Sequence, residues 1–210
     1  MRIAPEGRRL IGVAAVVALL AWLVGPGVLA FLALVITLFL VNFFRDPDRL
    51  TPPGAHLVTA PADGKVVAVL DDVHEERFLK RACRRVSIFM SPLDVHVNRV
   101  PVDGRVVEVV HRPGQFHAAF VDKASELNEQ TAVLLEDGRG ERILCVQIAG
   151  QLARRIVCRL RPGDVVHRGD RYGLITFGSR LDLYLPPAVE VRVKVGDRVA
   201  AGVSVIGTYP

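Results

Sequence analysis

From Leu10 to Val41 the chain carries no charged side chain. Leu10–Val24 supplies fifteen apolar or small residues and Val28–Val41 fourteen more, with Thr37 the polar exception. A membrane-spanning helix needs about 20 apolar residues. Each run is short for one straight span, the two together are too long, and Gly25-Pro26-Gly27 between them breaks a helix. The segment is expected to fold as a hydrophobic helical hairpin that enters a bilayer and returns, or else as one kinked, tilted helix. Arg8 and Arg9 precede it and Arg45 and Arg49 follow it. Positive charge at both ends puts both ends on the cytoplasmic side, which favours the hairpin. A cleaved signal peptide fits less well, because its apolar core spans only about 7–15 residues. The expected division is an anchoring hairpin over 1–44 and a second domain over 45–210.

Beyond Arg45 the texture changes to short Val-rich runs separated by Gly, Asp and Pro. Lys65–Leu70, Arg85–Met90, Gly104–Val110, Thr131–Glu136, Ile143–Ile148, Arg155–Leu160 and Val189–Val195 read as strands. Gln115–Asn128 is the one helix candidate, and the polar Asp71–Lys80 reads as a loop or a short helical turn. Two internal echoes organise this region. Pro61-Ala62-Asp63-Gly64-Lys65-Val66-Val67 recurs as Pro101-Val102-Asp103-Gly104-Arg105-Val106-Val107. Gly163-Asp164-Val165-Val166-His167-Arg168-Gly169 recurs as Gly196-Asp197-Arg198-Val199-Ala200-Ala201-Gly202. Each is a tight turn that leads into a strand. The expected fold is mainly β (α+β), with carrier-domain-like (lipoyl- or biotinyl-like) β-sandwich repeats behind the hairpin.

Composition removes several function classes. The net charge of +5 comes with no aromatic interleaving of the basic residues and no nucleic-acid motif, so no nucleic-acid partner is expected. The three cysteines form no CxxC, which argues against a disulfide framework. The six histidines show no metal-ligand spacing, so no metal is expected.

The chemistry concentrates in Tyr172–Pro186, around Gly178-Ser179. A serine hydroxyl can attack the carbonyl of the preceding residue and turn the amide into an ester. Glycine at that residue permits the backbone geometry this requires. β-Elimination then cuts the chain and leaves dehydroalanine, which hydrolyses to a pyruvoyl group.

Several segments, in order, carry a resemblance. They are Phe43-Phe44-Arg45-Asp46-Pro47, Pro61-Ala62-Asp63-Gly64, Phe89-Met90-Ser91-Pro92-Leu93-Asp94-Val95-His96-Val97-Asn98-Arg99, His111-Arg112-Pro113-Gly114-Gln115-Phe116, Asp122-Lys123-Ala124-Ser125-Glu126 and Ile175-Thr176-Phe177-Gly178-Ser179-Arg180. Together they resemble the short, membrane-anchored form of phosphatidylserine decarboxylase over nearly the whole chain. The resemblance implies a proenzyme that cuts itself between Gly178 and Ser179, giving chains 1–178 and 179–210 that stay together. Ser179 would become a covalent pyruvoyl cofactor. Its ketone would form a Schiff base with phosphatidylserine in the membrane and act as electron sink, yielding phosphatidylethanolamine for phospholipid biosynthesis. The resemblance also places His96 in the active site and Asp63 in a Ser-His-Asp set for self-cleavage. Long forms carry two histidines three residues apart, whereas here Arg99 stands at the second position. Either His96 does both jobs or another base serves. Arg99 could instead face the lipid phosphate or carboxylate. The resemblance puts the enzyme at the cell membrane with its catalytic domain on the cytoplasmic side; an oligomer is left open.

Two alternatives keep the chain intact. One is a non-enzymatic membrane-anchored β adaptor, which would usually bring coiled-coil heptads that are absent here. The other is a hydrolase with Ser179, His96 and Asp63 as a standing triad, although the chain lacks a Gly-x-Ser-x-Gly elbow.

Overall fold

The computed structural model describes residues 2–116, 127–150, 155–176 and 178–210. The chain divides into two compact units, Met1–Asp48 and Arg49–Pro210.

In the first unit, β1 (Arg2–Ile3) precedes α1 (Pro5–Val24); α2 (Gly27–Phe43) and β2 (Arg45–Asp46) follow. Gly25 ends α1 with its N–H on the Ala21 carbonyl, and Pro26 starts α2, where its missing donor is no loss. The helices pack as a hairpin, and antiparallel β1 and β2 tie its base. Gly7 is needed where α1 meets Phe44, since a Cβ there would lie 2.2 Å from the ring. Trp22, Val24, Val28 and Phe31 are among many large apolar side chains left exposed. By length and composition α1 suffices to cross a membrane, at about 30 Å for its 20 residues.

The second unit is built from strands. In chain order they are β3 (Leu57–Thr59), β4 (Gly64–Glu75), β5 (Arg81–Met90), β6 (Val97–Arg99) and β7 (Gly104–Arg112). Next come β8 (Gln130–Asp137), β9 (Arg142–Ile148), β10 (Ile156–Cys158), β11 (Val165–Val166) and β12 (Arg171–Ile175). The last are β13 (Ser179–Leu185), β14 (Glu190–Val191), β15 (Arg198–Val199) and β16 (Val205–Thr208). The expected mainly β fold behind a helical hairpin is what forms. Asp71–Glu75 extend β4, and Glu75 then caps the following turn by accepting from Phe78 N (2.8 Å) and Leu79 N (2.7 Å). The expected helix Gln115–Asn128 and the Asp122–Glu126 motif fall largely or wholly on residues outside those described. At the flanks of the gap, Gln115 bridges to Asn128.

The strands form an eight-stranded antiparallel sheet, β11-β7-β8-β9-β13-β5-β4-β15, and two three-stranded sheets, β10-β12-β6 and β14-β16-β3. This order is its own mirror image about the β9–β13 pair, and the sequence echoes explain why. β4 and β7 open at the two Asp-Gly turns; β15 and β11, from the two Gly-Asp echoes, pair with their first residues. Gly196 N donates to Val66 O (2.9 Å) and Val66 N to Asp197 O (2.9 Å). The other copy repeats this: Gly163 N donates to Val106 O (2.8 Å) and Val106 N to Asp164 O (2.9 Å).

One half, β6–β12, is continuous in sequence. The other consists of β3–β5 and β13–β16, and the first is inserted into it between Met90 and Ser179. In the inserted half, β8 and β9 are joined by a short turn in which Asp137 N donates to Glu141 O (2.9 Å). Their counterparts β5 and β13 have no such turn, because the whole inserted half lies between them. The Gly178–Ser179 bond therefore sits where the chain returns to the host half. One face of the large sheet buries the main core, which includes Val86, Ile88, Met90, Cys145, Leu181 and Leu183. The other carries a smaller cluster of Ala132, Leu134, Leu144, Val146 and Ile148.

Close strand approach depends on the bare glycines that open the echoes. A Cβ on Gly104 would lie 2.2 Å from the Glu136 carbonyl oxygen, whereas one on Gly138 meets nothing within 4 Å. Gly104→Ala is expected to destabilise the fold by about 2 kcal/mol, and Gly138→Ala by no more than about 0.5 kcal/mol, in urea unfolding of the full chain in detergent.

Candidate active site

Ser179 is the first residue of β13, a strand hydrogen-bonded to β5 on one side and β9 on the other. Strand alternation turns Ser179, Leu181, Leu183 and Leu185 toward the main core, and Arg180, Asp182 and Tyr184 to the opposite face. Ser179 is fully buried, stands opposite Met90, and its Oγ lies 3.9 Å from the Met90 thioether. Gly178 before it has φ +62°, and a Cβ there would meet nothing within 4 Å. Glycine is required by the left-handed backbone and not by crowding.

His96 follows the Ser91–Asp94 turn that leaves β5. Asp94 locks this turn: Oδ2 accepts from Ser91 Oγ (2.6 Å) and Ser91 N (2.9 Å), and Oδ1 accepts from Arg198 Nη1 (3.2 Å). His96 is fully buried, and Nδ1 lies 2.9 Å from the Asp94 carbonyl oxygen. A carbonyl can only accept, so Nδ1 donates, and this bond fixes the orientation of the ring. The next residue, Val97, pairs with Leu174 near the end of β12, four residues ahead of Gly178. His96 and the Gly178–Ser179 bond thus flank the same crossing between sheets.

Asp63 is the third residue of the set, and its turn also reaches this end of the sheet. Gly64, just after it, packs so closely that a Cβ would lie 2.0 Å from Phe89 O and 3.3 Å from Met90 Cα. The Asp63 carboxylate is taken by Arg49, through Nη1 and through Nη2 at 2.7 Å, and by Ala201 N at 2.8 Å. Arg49 Nη1 also donates to Ala201 O at 2.9 Å. The echo partner Asp103 accepts from Arg168 N at 2.9 Å, the same turn-locking bond in the other half. Arg49 is what distinguishes Asp63. Arg99 is buried, its Nη1 donating to Gly169 O at 2.9 Å, and a Cβ on Gly202 would lie 2.9 Å from its Cδ. Its guanidinium is thus used between two turns of the fold.

Sequence reading passed over the polar side chains around Met90. Asn98 Nδ2 lies 3.6 Å from Met90 Sδ, and Asn98 Oδ1 accepts from Gln147 Nε2 at 2.8 Å. Gln147 interrupts the apolar run Ile143-Leu144-Cys145-Val146-Gln147-Ile148, which was the available signal. No cysteine offers a ready nucleophile. Burial pushes the thiols of Cys83, Cys145 and Cys158 up, keeping them protonated. Among the described residues, no three His, Cys, Asp or Glu side chains gather as metal donors.

Comparison with known proteins identifies the family. The family model described as phosphatidylserine decarboxylase matches residues 36–207. A protein of Syntrophus aciditrophicus named phosphatidylserine decarboxylase proenzyme is 49% identical over 86% of this chain and 84% of its own. Proteins of the same name from Geotalea uraniireducens and Burkholderia mallei are 48% and 45% identical, over 99% of this chain and 97% and 95% of theirs. The chain belongs to the phosphatidylserine decarboxylase family. It is accordingly a carboxy-lyase, which displaces both the adaptor and the hydrolase alternatives.

The Asp63 clamp yields a direct expectation. Arg49→Ala and Asp63→Ala should be strongly non-additive in urea unfolding, with a coupling of about 1–2 kcal/mol. Additive losses would mean that the pair contributes nothing in solution.

Proposed function

We propose that this chain decarboxylates phosphatidylserine to phosphatidylethanolamine through a pyruvoyl group made from its own Ser179. The observation that carries the reading is the seat of Ser179: a buried serine behind a left-handed glycine, at the head of a strand paired on both sides. This seat fits the group, since the backbone bends at Gly178 while everything after it is fixed.

Self-cleavage then runs in balanced steps. Ser179 Oγ attacks the Gly178 carbonyl carbon; that C–O bond forms, the C–N bond breaks, and the hydroxyl proton ends on the amine. A base removes the Cα proton of residue 179, the Cβ–Oγ bond breaks, and Gly178 leaves as a carboxylate. The resulting dehydroalanine tautomerises, takes up water and releases ammonia. His96 suits the base: it is buried just past the turn that leaves β5, and the Asp94 carbonyl orients its ring through Nδ1. Asp63 serves the same process from one remove: with Arg49 it holds Ala201, which belongs to the small chain after cleavage. Once formed, the ketone supplies an electrophile for the substrate's primary amine and an electron sink for the departing carboxylate.

We assign residues 1–44 as the membrane anchor and residues 45–210 as the catalytic domain, processed into chains 1–178 and 179–210. The exposed apolar surface of the hairpin supports the first assignment. Arg8, Arg9, Arg45 and Arg49 support an assignment of both hairpin ends, and of the catalytic domain, to the cytoplasmic side. The lipid substrate is then drawn from the same bilayer, and the basic flanks favour anionic lipid.

Intact-mass analysis of the wild type should show two chains broken after Gly178, the small one blocked by a pyruvoyl group. Ser179→Ala should remain one chain. A folded wild type that stays whole would contradict the reading. His96→Ala should slow the appearance of the two chains by about 10²-fold or more, read by intact mass over time.

A further inference from the structure

Asn98 and Gln147 are fully buried amides in a neighbourhood that is otherwise apolar. Gln147 stands on β9 opposite Leu181, on the same face as Ser179, and Asn98 stands on β6 opposite Gly173. Gln147 Nε2 donates to Asn98 Oδ1 at 2.8 Å and lies 3.4 Å from Val157 O. Asn98 Nδ2 donates to Met90 Sδ at 3.6 Å, and Ser179 Oγ meets the same sulfur at 3.9 Å. Four side chains, from β9, β6, β5 and β13, therefore form one line that ends on the residue to be converted.

Two further observations set this line apart from ordinary packing. Gly173 is bare where Gln147 passes: a Cβ would lie 2.9 Å from Gln147 Nε2 and 2.3 Å from Val157 O. The buried Gln147 Oε1 accepts no hydrogen bond from any described residue. Burying an amide with one end unsatisfied is unfavourable, and an apolar side chain of equal length would avoid it. A strand built only to pack would not keep this residue.

We propose that Gln147 and Asn98 are a positioning relay that holds Met90, and through it the side chain of residue 179, in one orientation during self-cleavage. The inference rests on the assignment of Ser179 as pyruvoyl precursor. A thioether alone is a soft and adaptable neighbour. Pinned by the Asn98 amide, it becomes a fixed wall. Orientation matters most at the ester stage, where two fates compete. Elimination needs the Cα–H and Cβ–O bonds aligned, and gives the pyruvoyl end. Hydrolysis by water needs no such alignment; it breaks the same ester at its acyl C–O bond and leaves a small chain that begins with an intact serine. The relay favours the first fate.

The test is intact mass of the small chain over time, for the wild type, Gln147→Met and Asn98→Leu, in full-length proteins whose folding is checked by thermal melting. Gln147→Met keeps the length and removes the amide. The expected result is cleavage slowed roughly 10- to 100-fold, with a fraction of small chain that begins with serine and is heavier than the pyruvoyl form by ammonia. A purely structural role would change the amount of folded protein but not this ratio. If Gln147→Met fails to fold, Asn98→Leu, which leaves Gln147 in place, carries the same expectation. Variants that cleave at the wild-type rate to a fully pyruvoyl small chain would overturn the relay. A wild type that stays uncut would overturn the Ser179 assignment beneath it, so the two failures are distinguishable.

Discussion

The structure depends on β13 being hydrogen-bonded along both edges. Ser179–Leu185 pair residue by residue with β5, and Arg180–Tyr184 pair with β9. A peptide bond can be cut ahead of such a strand without releasing it. The alternating Leu181, Leu183 and Leu185 stay in the core, and Arg180 and Asp182 stay paired on the opposite face, with Arg180 Nε 2.9 Å from Asp182 Oδ1. The Gly178–Ser179 bond, the proposed cleavage site, lies one step outside this held region, at the glycine whose left-handed backbone lets the chain turn in. Rigidity after the bond and conformational freedom before it are what a self-cleaving serine requires.

The internal repeat explains why the bond lies there. The two halves share their turns, strand order and turn-locking aspartates. Where the inserted half makes the Asp137–Glu141 turn, the host half is opened to admit the other copy. Asp63 and Asp103 show how a repeated structural feature can be adapted. Both accept a backbone N–H from the matching Gly-Asp echo, at Ala201 and Arg168. Asp63 also has Arg49, so the turn next to Met90 and the segment at Ala201 are held by charge as well as by backbone bonds.

Much of this was legible in the residues. The apolar stretch broken by Gly-Pro-Gly, the two echoes and the Val-rich runs each have a local physical cause, and each became an element. The expected runs at Arg85–Met90, Gly104–Val110, Thr131–Glu136 and Ile143–Ile148 match β5, β7, β8 and β9 to within a few residues, whereas β12 and the central β13 were not expected as strands. The two- and three-residue strands β3, β6, β11 and β15 were not expected either, because each forms only against a partner distant in sequence. β14 keeps only Glu190–Val191 of the expected Val189–Val195, the two residues that find partners on β16. At the candidate site, Ser179 and His96 are expected from chemistry and resemblance, and the structure buries both. The Asp63–Arg49 clamp and the Asn98–Gln147 pair were not expected, since they depend on side chains meeting across 14 and 49 residues of sequence. Strand alternation marks Gln147 as buried but cannot name its partner.

The most direct measurement is reductive trapping during turnover. Purified enzyme is incubated with phosphatidylserine vesicles and sodium cyanoborohydride, and both chains are then analysed by mass. The account predicts that lipid becomes attached at residue 179, the first residue of the small chain, and nowhere else. Decarboxylation that proceeds with no lipid attached to either chain would contradict it.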